Sequence, residues 1–295
     1  MRNIIVITGG AGFIGSNLIE IFLNKTSKKI LSIDNYKYGS KKNEIKNSRV
    51  KYINGNTKNI SKLLNNYKSK IDTIFHFGEY ARIHQSFKDY EECISSNVNG
   101  TSEVLNFCLN NKIRIIYSAT SATLGNQGND QYLSPYAFTK ARNLKALIQF
   151  NEWFDLKYEI MYFYNVYGKR QISKGNMATV IGIFENYYLK NKPLPVVKPG
   201  IQSRKFTHID DTINGCFVAW KKKKNRHYSL ANNKSYKIIN VAKMFGNKIK
   251  YLKPRLGERY KSVVTDNIGN NKIYRLECKK SLKDYILKFK KENSR

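Results

Sequence analysis

Met1-Arg2-Asn3-Ile4-Ile5-Val6-Ile7-Thr8-Gly9-Gly10-Ala11-Gly12-Phe13-Ile14-Gly15-Ser16 opens the chain, and its reading decides the fold. Residues 4–7 form an unbroken β-branched run, the pattern of a strand buried on both faces. Glycines follow at Gly9, Gly12 and Gly15, and residues 17–23 carry a helical pattern. Strand, glycine turn and helix N-terminus together make an anion site: glycine lets the backbone approach a pyrophosphate, and free N–H groups and the helix dipole point at its charge. A bare three-glycine turn is common. Here Asp34 also closes the next apolar stretch, nineteen residues beyond Gly15, where a carboxylate holds the adenosine ribose hydroxyls. The context supports dinucleotide binding. The same carboxylate would repel a 2′-phosphate, so NAD is expected rather than NADP, although Lys37, Lys41 and Lys42 lie nearby.

The 295 residues suffice for one large or two modest domains, and a hydrophobic content of 41% is ordinary for a soluble protein. No apolar run is long enough to span a bilayer, and because the chain enters its first strand at once no signal peptide is expected. A cytoplasmic protein with no membrane contact is expected. Cys93, Cys108, Cys216 and Cys278 are scattered and read as reduced thiols, with neither metal nor disulfide spacing. The net charge of +32 could mark an anionic partner such as nucleic acid. Lysine, asparagine, isoleucine and tyrosine are enriched throughout, however, and only residues 221–224 form a basic run. Charge spread this evenly makes a poor footprint, so nucleic acid is disfavoured.

Further strands are expected at residues 50–53, 71–77 and 113–117, with helices near 60–67, 88–110, 136–150 and 178–190. The alternation predicts an α/β fold with a parallel, doubly wound sheet and ligands at its strand ends. A Rossmann domain over residues 1–167 would precede a smaller C-terminal substrate-binding lobe over 168–295, with about 204–220 returning to the first domain. The last segment ends in a basic amphipathic helix with Leu282, Tyr285, Ile286 and Phe289 on one side.

The chemistry follows strand five. Residues 118–125 form a hydroxyl-rich loop, and Ser134-Pro135-Tyr136 opens a helix in which Tyr136 and Lys140 share a face. An ammonium beside a phenol stabilises the phenolate. Bringing a free tyrosine from about 10 to neutrality takes about 4 kcal/mol of differential stabilisation. A surface helical pair would carry the same spacing, but here it lies beside a dinucleotide loop and a Ser/Thr loop.

The chain resembles the extended short-chain dehydrogenases/reductases, in their nucleotide-sugar epimerase and dehydratase group. The resemblance covers nearly the whole chain: residues 8–15, Asp34-Asn35, Phe75-His76-Phe77, residues 97–101, Tyr136 with Lys140, and residues 165–168, 204–211 and 255–258. It implies Tyr136 as catalytic base, Lys140 as its electrostatic helper and a ligand of the nicotinamide ribose, and Thr120, five before Gly125, as the catalytic hydroxyl, with Ser121 the fallback. Gly9, Gly12, Phe13, Ile14, Gly15, Asp34, Asn35, Asn56, Thr57, Phe77 and Lys140 would hold NAD. Asn56 stands where relatives carry an aspartate, and its amide oxygen can still accept a hydrogen bond. Asn165, Arg204 and Arg255 match positions that hold the substrate's nucleotide diphosphate, a task suited to arginine's donor fork. Residues 80–82, Arg82 among them, should line the sugar pocket. A homodimer through the helices at 88–110 and 136–150 is implied as well.

Three departures stand out. Gly78 and Glu79 replace two small residues, Lys169 replaces a proline, and Ser121-Ala122 occupy the places where dehydratases carry Asp-Glu. His208 reads as structural rather than catalytic, because a base must reach substrate. The leading expectation is therefore an NAD-dependent epimerase of a nucleotide-diphosphate sugar, of the UDP-hexose 4-epimerase type. A nucleotide-heptose 6-epimerase is the runner-up, since residues 174–178 resemble that subfamily and Lys174 would be its second base. A 4,6-dehydratase and a non-catalytic NAD-binding protein complete the alternatives.

Overall fold

β1 (Ile4–Thr8) is buried along its whole length, as a central parallel strand of β-branched residues must be. In the computed structural model, which describes residues 2–124, 126–260 and 264–293, an alternating chain follows it. Gly125 lies outside the described residues. The first half continues with α1 (Phe13–Lys25), β2 (Lys29–Asp34), β3 (Val50–Asn54), α2 (Ile60–Leu64) and β4 (Ile71–His76). Then come α3 (Tyr90–Cys93), α4 (Thr101–Asn110), β5 (Arg114–Thr120), α5 (Pro135–Phe154) and β6 (Tyr158–Phe163). The second half contains β7 (Asn165–Tyr167), α6 (Val180–Leu189), β8 (Leu194–Val197), β9 (Ser203–His208), α7 (Ile209–Lys222) and β10 (His227–Ser229). It ends with β11 (Ser235–Lys237), α8 (Ile238–Phe245), β12 (Ile249–Leu252), β13 (Asn267–Ile268), β14 (Asn271–Arg275) and α9 (Leu282–Asn293).

The large sheet has the order β13-β14-β10-β6-β5-β4-β1-β2-β3. Its pairs are parallel except for β13 against β14. The strand order reverses between β1 and β4, which run in register to Thr8 and His76 at their C-terminal ends. Such a switch point leaves a crevice for a ligand. One face packs Val6, Leu31, Ile74 and Ile115 under Val104, Leu105, Leu144 and Leu147 of α4 and α5. The other packs Ile5, Ile7 and Phe75 under Leu18 and Phe22 of α1 and Phe217 and Trp220 of α7. Phe22 meets the rings of Phe75, Phe217 and Trp220 edge-on at 5.3, 5.4 and 5.0 Å, so truncating it to alanine would cost about 3–5 kcal/mol.

Residues 204–220 divide between two settings. β9 joins β7 and β11 in a small sheet, whereas α7 packs on α1. β10 and β14, late in the chain, extend the large sheet. A third core joins Tyr167, Phe184, Phe206, Phe245, Leu282 and Ile286, and the α9 stripe read from the sequence packs into it. Among the described residues, no helix is long and apolar enough to cross a membrane.

The helical stretch expected over 88–110 changes its winding midway, where Ile94–Gly100 form a π turn. The wider turn accommodates the fully buried Asn97, whose amide turns inward. Its oxygen accepts from Tyr80 N at 2.6 Å, and its nitrogen donates to Tyr80 O at 3.2 Å and Thr139 Oγ1 at 3.0 Å. Residue spacing does not announce this.

Candidate active site

A cleft of about 620 Å³ opens at the switch point. Gly9, Gly12, Phe13, Ile14 and Gly15 form one wall. Gly9 has a φ of +71°, and a Cβ on Gly15 would run into its carbonyl oxygen, so this turn needs glycine at both places. α1 starts at Gly12 without a side-chain cap, which leaves its first N–H groups for a ligand. Beyond the turn, Asp34 is buried. Its Oδ2 accepts from Ala11 N at 3.0 Å and its Oδ1 from Tyr36 N at 2.9 Å. Burial pushes its carboxyl above the usual range, and the two backbone donors draw it down. Each oxygen can still accept a ribose hydroxyl.

Asn35, Asn56, Thr57 and Phe77 line the same wall. Asn56 Oδ1 already accepts from Lys58 N at 3.0 Å. Lys37 pairs with Glu92 at 3.0 Å, so its charge is offset locally. An uncapped helix start, a glycine cradle and a buried carboxylate at the ribose position fit NAD.

On the reaction side, Ser134 caps α5 by accepting from Ala137 N at 3.1 Å, and Pro135 takes the first helical position, where no N–H is needed. Tyr136 N donates to Ser86 Oγ at 3.2 Å, which fixes the first turn over the cleft. Thr120 ends β5, with its side chain within hydrogen-bonding reach of the Tyr136 phenol. Burial raises that phenol above its ordinary value; Thr120 lowers it, Glu79 raises it, and Arg82 and Arg259 lower it. Lys140 stands one turn further on, as its spacing requires, yet its Nζ donates to Glu79 Oε2 and Ser118 O and lies 4.3 Å from the Tyr117 ring centre. Burial draws the Lys140 ammonium down, and Glu79 raises it.

Glu79 is the centre of this half, and only its oddity was visible in the sequence. Its side chain is 3% exposed, and Oε1 accepts from Thr101 Oγ1 at 3.0 Å, Asn143 Nδ2 at 3.0 Å and Tyr117 OH at 3.2 Å. An ionised carboxylate only accepts, so Thr101 spends its proton on Glu79 and must accept from His76 Nε2, 2.9 Å away. Burial pulls the pKa of His76 down to about 4, so the ring is neutral and its Nδ1 accepts from Thr8 Oγ1 at 2.9 Å. Thr8 in turn accepts from Phe77 N at 3.1 Å and Gly78 N at 2.9 Å. One ordered chain of protons thus joins the nucleotide turn to Glu79.

Arg82, Asn165, Arg204 and Arg255 line the far side of the cleft. Arg204 is buried and donates to Glu258 at 2.7 Å, while Arg255 is exposed. Arg82 is held by Met177 O, to which its Nε donates at 2.9 Å. Lys174 is exposed and does not line the cleft. Nor does His208, whose Nδ1 accepts from Asp210 N at 3.2 Å and caps α7. The sequence reading missed Arg259, which is 7% exposed, donates to Ser121 O at 2.8 Å and lies 3.7 Å from Asp130. Residues 255–258 pointed to this loop without reaching it.

The profile of the NAD dependent epimerase/dehydratase family matches residues 5–231. The chain is 31% identical over 227 residues to an ADP-L-glycero-D-manno-heptose-6-epimerase of Brachyspira hyodysenteriae, covering 71% of this chain and 70% of the relative. It is 27% identical over 277 residues to a putative UDP-glucose 4-epimerase of Methanocaldococcus jannaschii, covering 87% and 88%. In fold it is similar to the UDP-glucose 4-epimerase of Thermotoga maritima crystallised with UDP-glucose. That match has a TM-score of 0.86, 20% identity and coverage of 99% of this chain and all of the other. The nucleotide wall, the paired Thr120 and Tyr136 and these likenesses agree: the chain belongs to the NAD dependent epimerase/dehydratase family and is an NAD-dependent enzyme.

Proposed function

We propose that the chain is a UDP-hexose 4-epimerase working through a 4-keto sugar. One observation carries this reading. The cleft presents the Tyr136 phenol beside Thr120, with Ser121 and Ala122 next to them in place of an acid pair, while Lys174 stands outside. That arrangement supplies one base, which suffices for inversion at C4. Elimination of water needs an acid as well, and the two-base heptose route needs a second base. The likeness to the Methanocaldococcus protein over 87% of the chain supports the same choice.

In this reading the glycine turn, Asp34, Asn35, Asn56, Thr57, Phe77 and Lys140 would hold NAD, which would supply the oxidising and then the reducing equivalent at C4. Tyr136 Oη takes the proton of the sugar 4-hydroxyl and later returns it. Thr120 Oγ1 hydrogen-bonds the same oxygen and orients it for that transfer. Arg204, Arg255 and Asn165 hold the diphosphate while the sugar turns over, and Arg82 borders the sugar. Arg204 lines the cleft and is held there by its pairing with Glu258 at 2.7 Å.

A homodimer through α3–α4 and α5 belongs to the same proposal. Tyr90, Phe138 and Trp153 on these helices are 56%, 50% and 64% exposed, which suits a helical interface. Light scattering should give twice the chain mass of 34.3 kDa, and a monomer would contradict it. The activity is tested by mass and chromatographic analysis of UDP-glucose incubated with the purified protein. Conversion to UDP-galactose is expected; a 4-keto-6-deoxy product would instead mark a dehydratase.

A further inference from the structure

Arg259 lines the cleft with only 7% of its surface exposed, and no step of the proposed reaction uses it. Its Nη1 donates to Ser121 O at 2.8 Å, and Asp130 stands 3.7 Å away. Among the described residues its Nε has no hydrogen-bond partner. A buried guanidinium with a donor unmade and its carboxylate at that distance is a poor stabiliser, because desolvation costs more than such a pair returns. Its use in the site lies in the bond to Ser121 O.

That carbonyl belongs to the peptide unit joining Ser121 to Ala122. A peptide unit is planar, so its C=O and its N–H move together. The N–H of this unit, on Ala122, donates to Thr120 Oγ1 at 3.1 Å. One flat group thus carries the guanidinium on one edge and the reaction hydroxyl on the other. Ser121 O also accepts from Leu124 N at 3.2 Å, so both of its lone pairs are taken. Thr120 Oγ1 accepts from Ala122, and its own proton remains to donate into the cleft.

The arginine is in turn held from outside this loop. Glu258, its neighbour, accepts from Arg204 at 2.7 Å, and Tyr260 O accepts from Ser203 N at 2.8 Å. The chain is therefore fastened to β9 on both sides of Arg259. Residues 121–123 form a single 3-10 turn, whose own hydrogen-bond geometry is poor and which gains most from a tether of this kind.

We propose that Arg259 is a positioning residue for the reaction hydroxyl: by gripping the carbonyl of the Ser121–Ala122 peptide it fixes the N–H that orients Thr120 Oγ1 toward the sugar 4-oxygen. The proposal rests on the reading of Thr120 as hydrogen-bonding that oxygen. In this role Arg259 touches neither sugar nor NAD, so its loss falls on the rate and not on binding.

The test is a double-mutant cycle on the conversion of UDP-glucose. Arg259→Met removes the donors and keeps an unbranched side chain; Thr120→Ala removes the hydroxyl. Arg259→Met alone should lower kcat about tenfold, with KM within about twofold and NAD retained. In the Thr120→Ala background the same change should cost less than about twofold, because the group it positions is gone. Equal losses in both backgrounds overturn the proposal. So does a raised KM in place of the fall in kcat, which would make Arg259 a ligand of the substrate. A second measurement needs no sugar: amide hydrogen exchange at Ala122 in the NAD-loaded protein, followed by NMR. Arg259→Met should speed it about tenfold, and an unchanged rate overturns the proposal. If Arg259→Met does not fold, Arg259→Gln, polar but shorter, replaces it in both measurements under the same criteria. An unaltered protein that converts no nucleotide sugar refutes the epimerase reading, and exchange at Ala122 then decides on Arg259 alone.

Discussion

Asp34 and Glu79 are buried carboxylates on opposite parts of one cleft, and they are held differently. Asp34 takes backbone N–H groups from Ala11 and Tyr36, so any chain that makes this turn and this strand end supplies its partners. Glu79 takes only side chains, brought by α4, β5 and α5 from 22 to 64 residues away. The nucleotide wall is built by local backbone geometry, which fixes glycine at Gly9 and Gly15 and supplies the donors to Asp34. The reaction wall is a side-chain network, in which one substitution leaves several groups unpaired.

The sharpest way to break this comparison is at the reaction wall. Tyr136→Phe should cut turnover by about 10²–10⁴-fold and leave NAD binding nearly intact, measured by progress curves and by cofactor retained on gel filtration. Loss of NAD together with activity would mean that the two walls are not separable.

His76 joins the walls, and its titration should come next in size. Its ordinary value of 6.5 is depressed to about 4 by burial, so the unfolded chain binds a proton that the folded chain refuses. Its contribution is complete above pH 6.5 and is lost as the pH falls toward 4. The loss is on the order of 3 kcal/mol. Urea unfolding at pH 7 and near pH 4.5 should show it, and equal stability at the two would contradict a neutral, buried His76.

Asp34→Asn is the corresponding change at the nucleotide wall. The amide keeps one acceptor and loses the charge, so NAD should bind about tenfold more weakly, with discrimination against NADP reduced. A calorimetric titration that finds no change would remove the carboxylate from the cofactor site. The smallest effect is expected for Lys174→Met. Because Lys174 is exposed outside the cleft, kcat should stay within about twofold. A loss comparable to that of Tyr136→Phe would favour the two-base heptose route.

The contrast between the two carboxylates also explains what could be read in advance. The buried run at residues 4–7, Gly9 to Gly15 and Asp34 have partners set by strand period and turn geometry, and the doubly wound sheet follows from them. Tyr136 and Lys140 share a helix face for the same reason. What escaped was where the Lys140 ammonium bonds, because this depends on Glu79, Ser118 and Tyr117 converging in space. The π turn at Ile94–Gly100 escaped likewise, since a helical stripe carries no sign of Asn97 turning inward. Arg259 lay one residue beyond a recognised segment, and nothing in its neighbours marks a buried guanidinium.

The central claim is inversion at C4 with one base and no loss of the C4 hydrogen. Proton NMR of UDP-glucose incubated with the NAD-loaded protein in deuterium oxide tests it directly. The account predicts UDP-galactose approaching equilibrium with protium retained at C4, because hydride leaves and returns without exchanging with solvent. Deuterium at C4, or a 4-keto-6-deoxy sugar in place of UDP-galactose, would contradict it.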